Sequence, residues 1–204
     1  EHTPATKNAV FNYDVKLVNP KFTLTSDTLR YNSQTKIANI VGPSDIVSDQ
    51  NHIYSELGFY NTTSGEAILL QRSVLTNQQR QLVGDSLFYN RNKGYGEAFR
   101  NVVMTDTENK NLLTGEYGFY DELKGNALVT DSALAINYSQ NNDSLYMHGD
   151  TLRLITYNMN TDSVYRKTFV YHKVRIYKSD LQGVCDSLVF NSQDSCMTMY
   201  HDPI

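Results

Sequence analysis

Six carboxylates recur at the same place in a short pattern, and regularly spaced carboxylates are the first feature that could do chemistry. Each acid stands between a small residue and an apolar stretch, as in Gly84-Asp85-Ser86-Leu87-Phe88-Tyr89. The acids are Asp27, Glu56, Asp85, Glu116, Asp150 and Asp186. Such groups bind cations in calcium-binding β-rolls, or act in pairs in glycosidases. Because every copy carries one acid, far from the next, we interpret them as acids that begin a strand and hydrogen-bond a turn, and we predict no catalytic residue, no metal and no cofactor.

The other side chains that commonly do chemistry form no motif. The five histidines lack the spacing of a zinc-binding helix, and no nucleophile elbow or phosphate-binding loop is present. Cys185 and Cys196 lack the spacing of a zinc site. In a shared hairpin they would not be directly opposite, so free thiols are favoured over a disulfide. The net charge is −4 and the 18 Lys and Arg residues are scattered, which argues against nucleic acid as a partner.

A six-residue pattern occurs six times and is the strongest signal in the sequence. It holds a small residue, an acid, any residue, Leu or Gly, any residue, and an aromatic residue or Leu. The copies begin at Ser26, Ser55, Gly84, Gly115, Gly149 and Cys185, with spacings of 29, 29, 31, 34 and 36 residues. Asn or Asp follows five of the six copies, which favours a turn at that point. Repeats of this size cannot each close a core, so they must stack on their neighbours.

The fourth and sixth positions of each copy are predicted to share one face of a strand, because side chains two residues apart point the same way. The residues expected to point inward are Leu29, Tyr31, Leu87, Tyr89, Tyr120, Leu152, Leu154, Leu188 and Phe190. Those expected to point outward are Thr28, Arg30, Ser86, Thr151, Arg153 and Ser187, with Phe88 and Phe119 as an exposed apolar patch. Gly58 and Gly118 replace Leu in alternate copies, which either leaves space for a ligand or marks a bulge or a close strand approach.

The fold class follows from the second half of each repeat, where a further strand carries an alanine. These alanines are Ala38, Ala67, Ala98 and Ala127. Helical periodicity is nearly absent, so we predict an all-β chain. Antiparallel hairpins with one apolar face need a second apolar layer, which favours an elongated, semi-open antiparallel β-jelly roll; a β-helix or solenoid is the alternative. We expect a single domain over residues 1–204, with clear repeats over 26–154 and looser ones over 155–204.

The repeats resemble those of the OstA/LptA-like family of lipopolysaccharide-transport proteins. The resemblance is carried by residues 84–89, by Ala98-Phe99-Arg100-Asn101-Val102-Val103-Met104-Thr105 and by Leu113-Thr114-Gly115-Glu116-Tyr117-Gly118-Phe119-Tyr120. The sequence departs from the family pattern at Arg100 and Arg72, where a Gly is expected. The resemblance implies a semi-open jelly roll whose apolar interior holds acyl chains and whose edge strands join such proteins end to end.

On this resemblance we expect a non-catalytic periplasmic protein that shields the acyl chains of lipid A and bridges the inner and outer membranes, with association to the outer membrane as a further expectation. The expected partners are lipopolysaccharide and, through edge strands, other Lpt-type jelly-roll components or a second copy of the chain. The lipid-contact candidates on the inner face are Leu29, Tyr31, Gly58, Tyr60, Leu87, Tyr89, Gly118, Tyr120, Leu152 and Leu154.

Two other functions stay open on the sequence alone. A structural or adhesive β-repeat protein at the cell surface would have a tightly filled interior, and a polysaccharide-acting enzyme would need carboxylates that converge in a cleft. We also expect the chain to be cut from a longer array, because the strand that should follow Pro203 is missing. The last hairpin is therefore expected to be an edge.

Overall fold

The structure, a computed structural model, consists of β-strands joined by short connections. It describes residues 2–3, 7–48, 50–138, 143–201 and 203–204, and none of these residues is helical. The strands are β1 His2–Thr3, β2 Asn8–Asn19, β3 Phe22–Asn32, β4 Ile37–Val47, β5 Asn51–Asn61, β6 Glu66–Asn77, β7 Arg80–Asn90, β8 Tyr95–Asp106, β9 Asn111–Asp121, β10 Asn126–Asn137, β11 Leu145–Tyr157, β12 Tyr165–Lys178, β13 Leu181–Asn191 and β14 Cys196–Tyr200. The predicted all-β class is confirmed, and no described helix could cross a membrane.

The chain divides into two compact units, residues 1–99 and 100–204, with the boundary inside β8. In the first unit, strands β1 to β7 pair in chain order, and in the second unit β9 to β14 do the same. Each of these pairings is antiparallel. The parallel β-helix alternative is therefore excluded, because its strands run in the same direction.

The even-numbered strands from β2 to β12 all bend near the middle. Among the described residues, five of the six have two consecutive residues with φ between +46° and +67°, and β4 has Gly42 at +88° before Pro43. The five pairs are Tyr13-Asp14, Gln71-Arg72, Arg100-Asn101, Asp131-Ser132 and His172-Lys173. Each bend in a described pairing interrupts the register, as between Tyr54 and Leu57 of β5 and their partners in β6. Such β-bulges bend a strand and increase its twist.

Buried serines stabilise the bends in the first unit, because they hydrogen-bond to one another and to nearby backbone carbonyl groups. The hydroxyls of Ser26 and Ser44 are 2.7 Å apart, and those of Ser55 and Ser73 are 2.9 Å apart. All four residues are at most 6% exposed. Ser55 Oγ also donates to the carbonyl oxygen of Leu57 at 2.9 Å. The small first residue of the repeat is therefore the residue that fits inside the corner.

The predicted turns are confirmed at the residue that follows the repeat pattern. The side-chain oxygen of Asn32 accepts hydrogen bonds from the backbone N–H groups of Gln34 and Thr35, at 2.9 Å and 2.8 Å. The equivalent side chains that bind their own turns are Asn61, Asn90, Asp121 and Asn191. An Asn or Asp side chain in this role imitates a backbone turn, which ends the strand and reverses the chain.

The bends bring the two halves of the first unit's strands face to face. Phe22, the first residue of β3, packs edge-on against Tyr60 near the end of β5, with ring centroids 4.9 Å apart. Asn51, the first residue of β5, donates through Nδ2 to the hydroxyl of Tyr89 near the end of β7, at 2.7 Å. Both contacts join the start of one strand to the end of the strand two positions further along. The sheet of this unit is therefore folded over, with its apolar face inside.

We expect Gln71→Gly to raise the free energy of unfolding by about 0.5–1 kcal/mol. A left-handed conformation costs an L-residue about 1–2 kcal/mol, and the greater backbone entropy of glycine offsets about 0.5–1 kcal/mol of that gain. Gln71 is exposed, so little packing is lost. Urea denaturation measures the change against Thr25→Gly, at an exposed extended position of β3. Equal destabilisation by both substitutions would show that the bend carries no strain.

Candidate functional site

The interior of the folded sheet is the candidate site, and the structure places the predicted inner-face residues there. Those that are at most 2% exposed are Leu29, Tyr60, Leu87, Tyr89, Leu152 and Leu188. Those on the same face that remain half-buried are Tyr31, Tyr120, Leu154 and Phe190. Arg30 and Arg153 are exposed beside buried leucines. The predicted register is therefore confirmed, since a one-residue slip would exchange these faces.

The residues predicted to point outward lie on the opposite face, in alternation with the buried leucines. Thr28, Ser86, Thr151 and Ser187 are half-buried there. Phe88 and Phe119 are half-buried as well rather than fully exposed. Phe88 pairs with Ile68, which pairs with Phe59, and the latter two are 50% and 46% exposed. The exposed apolar patch predicted around Phe88 is therefore present in the first unit, with Phe59 and Ile68 as its most exposed members.

Tyrosine and alanine alternate across the inner face of the first unit. The paired row runs through Tyr31, Ala38, Tyr60, Ala67 and Tyr89. Both alanines are fully buried, at 0% exposure. A methyl group between two tyrosines leaves volume for their rings, and close packing of this kind is what protein interiors require. The alanine recognised in the sequence is therefore the small partner of the aromatic position, and the middle of this unit is filled by its own side chains.

The space expected beside Gly58 and Gly118 is already occupied, so that expectation is wrong. A Cβ atom at Gly58 would lie 2.6 Å from the carbonyl oxygen of Ile68. At Gly118 it would lie 2.6 Å from both Met104 Cε and Val102 Cγ1. These distances are shorter than van der Waals contact. The glycines are needed because neighbouring strands approach closely, which was the other interpretation of their place in the repeat.

The second unit differs, because part of its inner face stays accessible to solvent. Its strand β10 has Ala133 and Ala135 at the positions where β6 has Ser73 and Leu75. Its inward-facing apolar side chains that are half-buried rather than buried are Leu113, Tyr120, Leu154, Phe190, Met197 and Met199. We call these six residues the open inner face. They form an apolar surface inside the fold that water can still reach.

The repeated acids do not form a site. They lie at the bends in the middle of the strands, and not at strand starts as predicted. Asp85 lies 3.6 Å from Nη1 of Arg72, and Asp186 lies 3.6 Å from Nδ1 of His172. Arg72 and His172 are left-handed residues of the adjacent bends. Among the described residues no three His, Cys, Asp or Glu side chains are grouped to hold a metal ion. Asp85 and Asp186 therefore face the bends of neighbouring strands, which is a structural role.

The two cysteines are free thiols, in agreement with the favoured interpretation of their spacing. Cys185 is buried in the corner of β13 and Cys196 is exposed at the start of β14. In the ladder Cys196 pairs with Asn191, whereas Cys185 pairs with Val174. Burial raises the pKa of the Cys185 thiol above its usual value, so this side chain behaves as a small apolar residue.

Three residues outside the repeat pattern help to close the interior of the first unit, and the sequence analysis missed them. They are Phe22, Asn51 and Arg91. The guanidinium carbon of Arg91 lies 5.2 Å from the centre of the Phe22 ring, on which Tyr60 also packs. The alternation Phe22, Leu24, Ser26 on one face of β3 could have revealed Phe22. No local signal marks Arg91, because it lies in a polar turn.

Comparison with known families gives a match in the first part of the chain. Residues 1–27 and 23–85 match the family model described as OstA-like protein. This part of the chain is similar to OstA-like proteins, and we call it the OstA-like segment. The OstA-like segment ends within β7 and so includes every earlier strand of the first unit. Comparison with curated proteins gives no significant match.

Among solved structures, the chain is similar to LptH from Pseudomonas aeruginosa, described as the LptA homologous periplasmic component of the conserved lipopolysaccharide transport device. The TM-score is 0.50 at 14% sequence identity, and the match covers 61% of this chain and 84% of LptH. At this identity the likeness is one of fold. The predicted antiparallel β-jelly roll is confirmed, and the OstA-like segment confirms the resemblance to the OstA/LptA-like family.

We expect Gly58→Ala to destabilise the protein by about 1–3 kcal/mol, the usual cost of overpacking. The added methyl group would meet the backbone oxygen of Ile68, which cannot move without shifting β6. Gly96→Ala is the control, because its Cβ atom would lie 3.2 Å and 3.3 Å from the flexible ends of Leu75 and Leu82, and 3.7 Å, an ordinary van der Waals contact, from the backbone oxygen of Phe88. Thermal unfolding of both variants measures the difference. Equal stability would mean that the interior beside Gly58 is looser than described.

Proposed function

We propose that this protein is a non-catalytic lipopolysaccharide carrier of the periplasm, which holds lipid A acyl chains against the open inner face of the second unit. The accessible apolar side chains of that face are the observation that carries the proposal. The OstA-like segment and the fold shared with LptH support it. In this proposal the chain bridges the inner and outer membranes, and association with the outer membrane belongs to the same role.

The chemistry of the open inner face suits acyl chains. Its side chains are those of Leu, Tyr, Phe and Met, with no charged group among them. Burying each CH₂ group of a lipid contributes about 0.8 kcal/mol. Met197 and Met199 have flexible thioether side chains that fill irregular gaps, so this face can adapt to chains of different length.

The lipid-contact candidates from the sequence divide between the two units. Leu29, Leu87 and Tyr89 are packed against other side chains of the first unit. Tyr120 and Leu154 belong to the open inner face, and we propose these two as direct lipid contacts. Gly118 and Leu152 lie in the same unit but are buried. We propose that they support the open inner face without contacting the lipid.

Edge strands are the proposed means of assembly. In the described part of the chain, β14 pairs with β13 on one side, and Ile204 exchanges two backbone hydrogen bonds of 3.0 Å with Val184. A strand with free N–H and C=O groups on its outer side favours the addition of another strand. We therefore propose that the edge binds another Lpt-type jelly roll or a second copy of this chain.

A structural or adhesive role at the cell surface is the second candidate. The observation in its favour is the filled interior of the first unit, where Leu29, Leu87 and Tyr89 are each at most 2% exposed. A protein of this kind would bind no lipid in either unit. A lipid-binding measurement therefore separates the two candidates.

The test compares two neighbouring residues on opposite faces of β11. Leu154→Asp places a charge on the open inner face. We expect it to weaken lipopolysaccharide binding at least tenfold, about 1.4 kcal/mol, because an acyl chain cannot compensate for the desolvation of a carboxylate. Ile155→Asp is the matched control, since Ile155 is also a half-buried aliphatic residue but faces outward. It should leave the affinity within about twofold.

Lipopolysaccharide titration of the folded variants gives the answer, with circular dichroism as the check on folding. Mass spectrometry of lipids extracted from the protein purified from a Gram-negative host supplies an independent measurement. Equal affinities of the Leu154→Asp and Ile155→Asp variants would contradict a lipid site on the open inner face. Absence of lipid binding by the unmodified protein would favour the structural role.

A further inference from the structure

Two buried polar atoms in the first unit have no hydrogen-bond partner. They are the hydroxyl oxygen of Tyr60 and the Nη1 atom of Arg91. Tyr60 is 1% exposed, and its ring packs on Phe22 at 4.9 Å. The guanidinium of Arg91 lies over the same ring, at 5.2 Å from its centre. Both unpaired donors therefore border one phenylalanine.

Leaving such groups unpaired is costly, because burial removes their hydrogen bonds to water. The cost is greater for a guanidinium, which carries a full charge and has five N–H groups but no acceptor. Among the described residues, Arg91 forms no ion pair. Burial raises the pKa of Tyr60 and the charge of Arg91 lowers it to a smaller extent, so the phenol is protonated and can donate at neutral pH.

The next repeat shows how the fold satisfies the same tyrosine when no ligand is needed. Tyr60 and Tyr89 occupy the same position of β5 and β7. The hydroxyl of Tyr89 accepts a hydrogen bond of 2.7 Å from Asn51, the first residue of β5. The corresponding first residue of β3 is Phe22, which has no polar group. This repeat thus has an apolar ring in place of an internal partner, and the Tyr60 hydroxyl is left without a hydrogen bond.

The position of Arg91 is fixed by the turn that carries it. Its backbone N–H donates to the carbonyl oxygen of Gly65 at 3.0 Å, and Asn92 Nδ2 donates to the carbonyl oxygen of Ser64 at 2.6 Å. A Cβ atom at Gly65 would lie 3.3 Å from Nε of Arg91. Gly65 therefore leaves the volume that the Arg91 side chain crosses to reach Phe22. The side chain is half-buried, so its guanidinium extends from the surface into the interior.

We propose that Tyr60 and Arg91 form an anion site for a phosphate monoester, with Phe22 as the apolar surface beside it. Both groups act as donors, and a guanidinium matches phosphate oxygens in geometry as well as charge. A tetrahedral phosphate has several oxygens, so it can accept hydrogen bonds both from Tyr60 of β5 and from Arg91 in the turn after β7. An apolar ring next to the donors favours an amphiphile, and a phosphorylated lipid headgroup is such a ligand. The lipid source rests on the proposed function, whereas a soluble sugar phosphate would have the same chemistry.

The test uses conservative variants of the full chain. Arg91→Met removes the charge and keeps an unbranched apolar side chain over Phe22, and Tyr60→Phe removes only the hydroxyl. Phe22→Asn places next to Tyr60 the same residue type that bonds to Tyr89. The new side chain should hydrogen-bond to the Tyr60 hydroxyl and so compete with the phosphate. Lys93→Met is the matched control, because Lys93 is exposed in the same turn as Arg91.

Calorimetric titrations with three probes give the expected pattern. The probes are glucosamine 1-phosphate, lipopolysaccharide, and lipopolysaccharide from which the phosphates have been removed. Arg91→Met and Tyr60→Phe should each weaken binding of both phosphorylated probes about tenfold, and Phe22→Asn should do the same. Binding of the dephosphorylated probe should not change, and Lys93→Met should alter every affinity less than about twofold.

The outcomes separate this proposal from the proposed function. If lipopolysaccharide binds the Arg91→Met variant as tightly as the unmodified protein, the anion site is wrong and the lipid carrier stands. If the unmodified protein binds glucosamine 1-phosphate through Arg91 but binds neither lipid, the anion site stands and the carrier is wrong. Equal losses in the Lys93→Met and Arg91→Met variants would also overturn the anion site, because only general charge attraction would then remain.

Discussion

The rest of the structure depends on the bulge in the middle of the even-numbered strands. A pair of left-handed residues is energetically unfavourable for ordinary amino acids, yet Gln71-Arg72, Asp131-Ser132 and their equivalents adopt it at the same place in each strand. Because neighbouring bulges line up, the bends fold the sheet over and bring its apolar sides together. The corner must then hold small residues, which explains the serines, glycines and cysteine that begin the repeat. Hydroxyl groups such as that of Ser55 donate to backbone carbonyl groups beside the bend, such as that of Leu57.

The two units have the same kind of folded sheet but differ in how their interiors are filled. In the first unit, tyrosines set against alanines and the contact of Phe22 with Tyr60 fill the volume between the halves. In the second unit, β10 has Ala135 where β6 has the larger Leu75. Side chains such as Leu154 and Phe190 therefore remain accessible. A difference of a few methylene groups per strand decides whether this fold makes a solid core or a surface for a ligand.

Much of this fold could be predicted from the sequence, because the repeat carries its own turn and face information. The faces of Leu29 and Leu152 follow from period-2 alternation, and the turn at Asn32 follows from its side chain. The bends could not be predicted, since Gln71 and Arg72 carry no left-handed signal and their conformation is imposed by the packing of adjacent strands. For the same reason the sequence could not show that the space beside Gly118 is occupied by Met104. Arg91 was missed because it reaches the interior from a turn, and only the tertiary fold shows where it points.

Pairing in chain order has a consequence for how each unit can form and change. The described strand pairings of each unit join strands that follow one another in the chain, so each pairing closes a single hairpin. A nearest-neighbour array distributes stability over separate steps, because each hairpin depends mainly on the hairpins beside it. The connection between Tyr157 and Tyr165 can therefore vary in length, because it joins two strands that pair with each other. A hairpin could be gained or lost during evolution without a new topology, which would lengthen or shorten the apolar surface by one rung at a time.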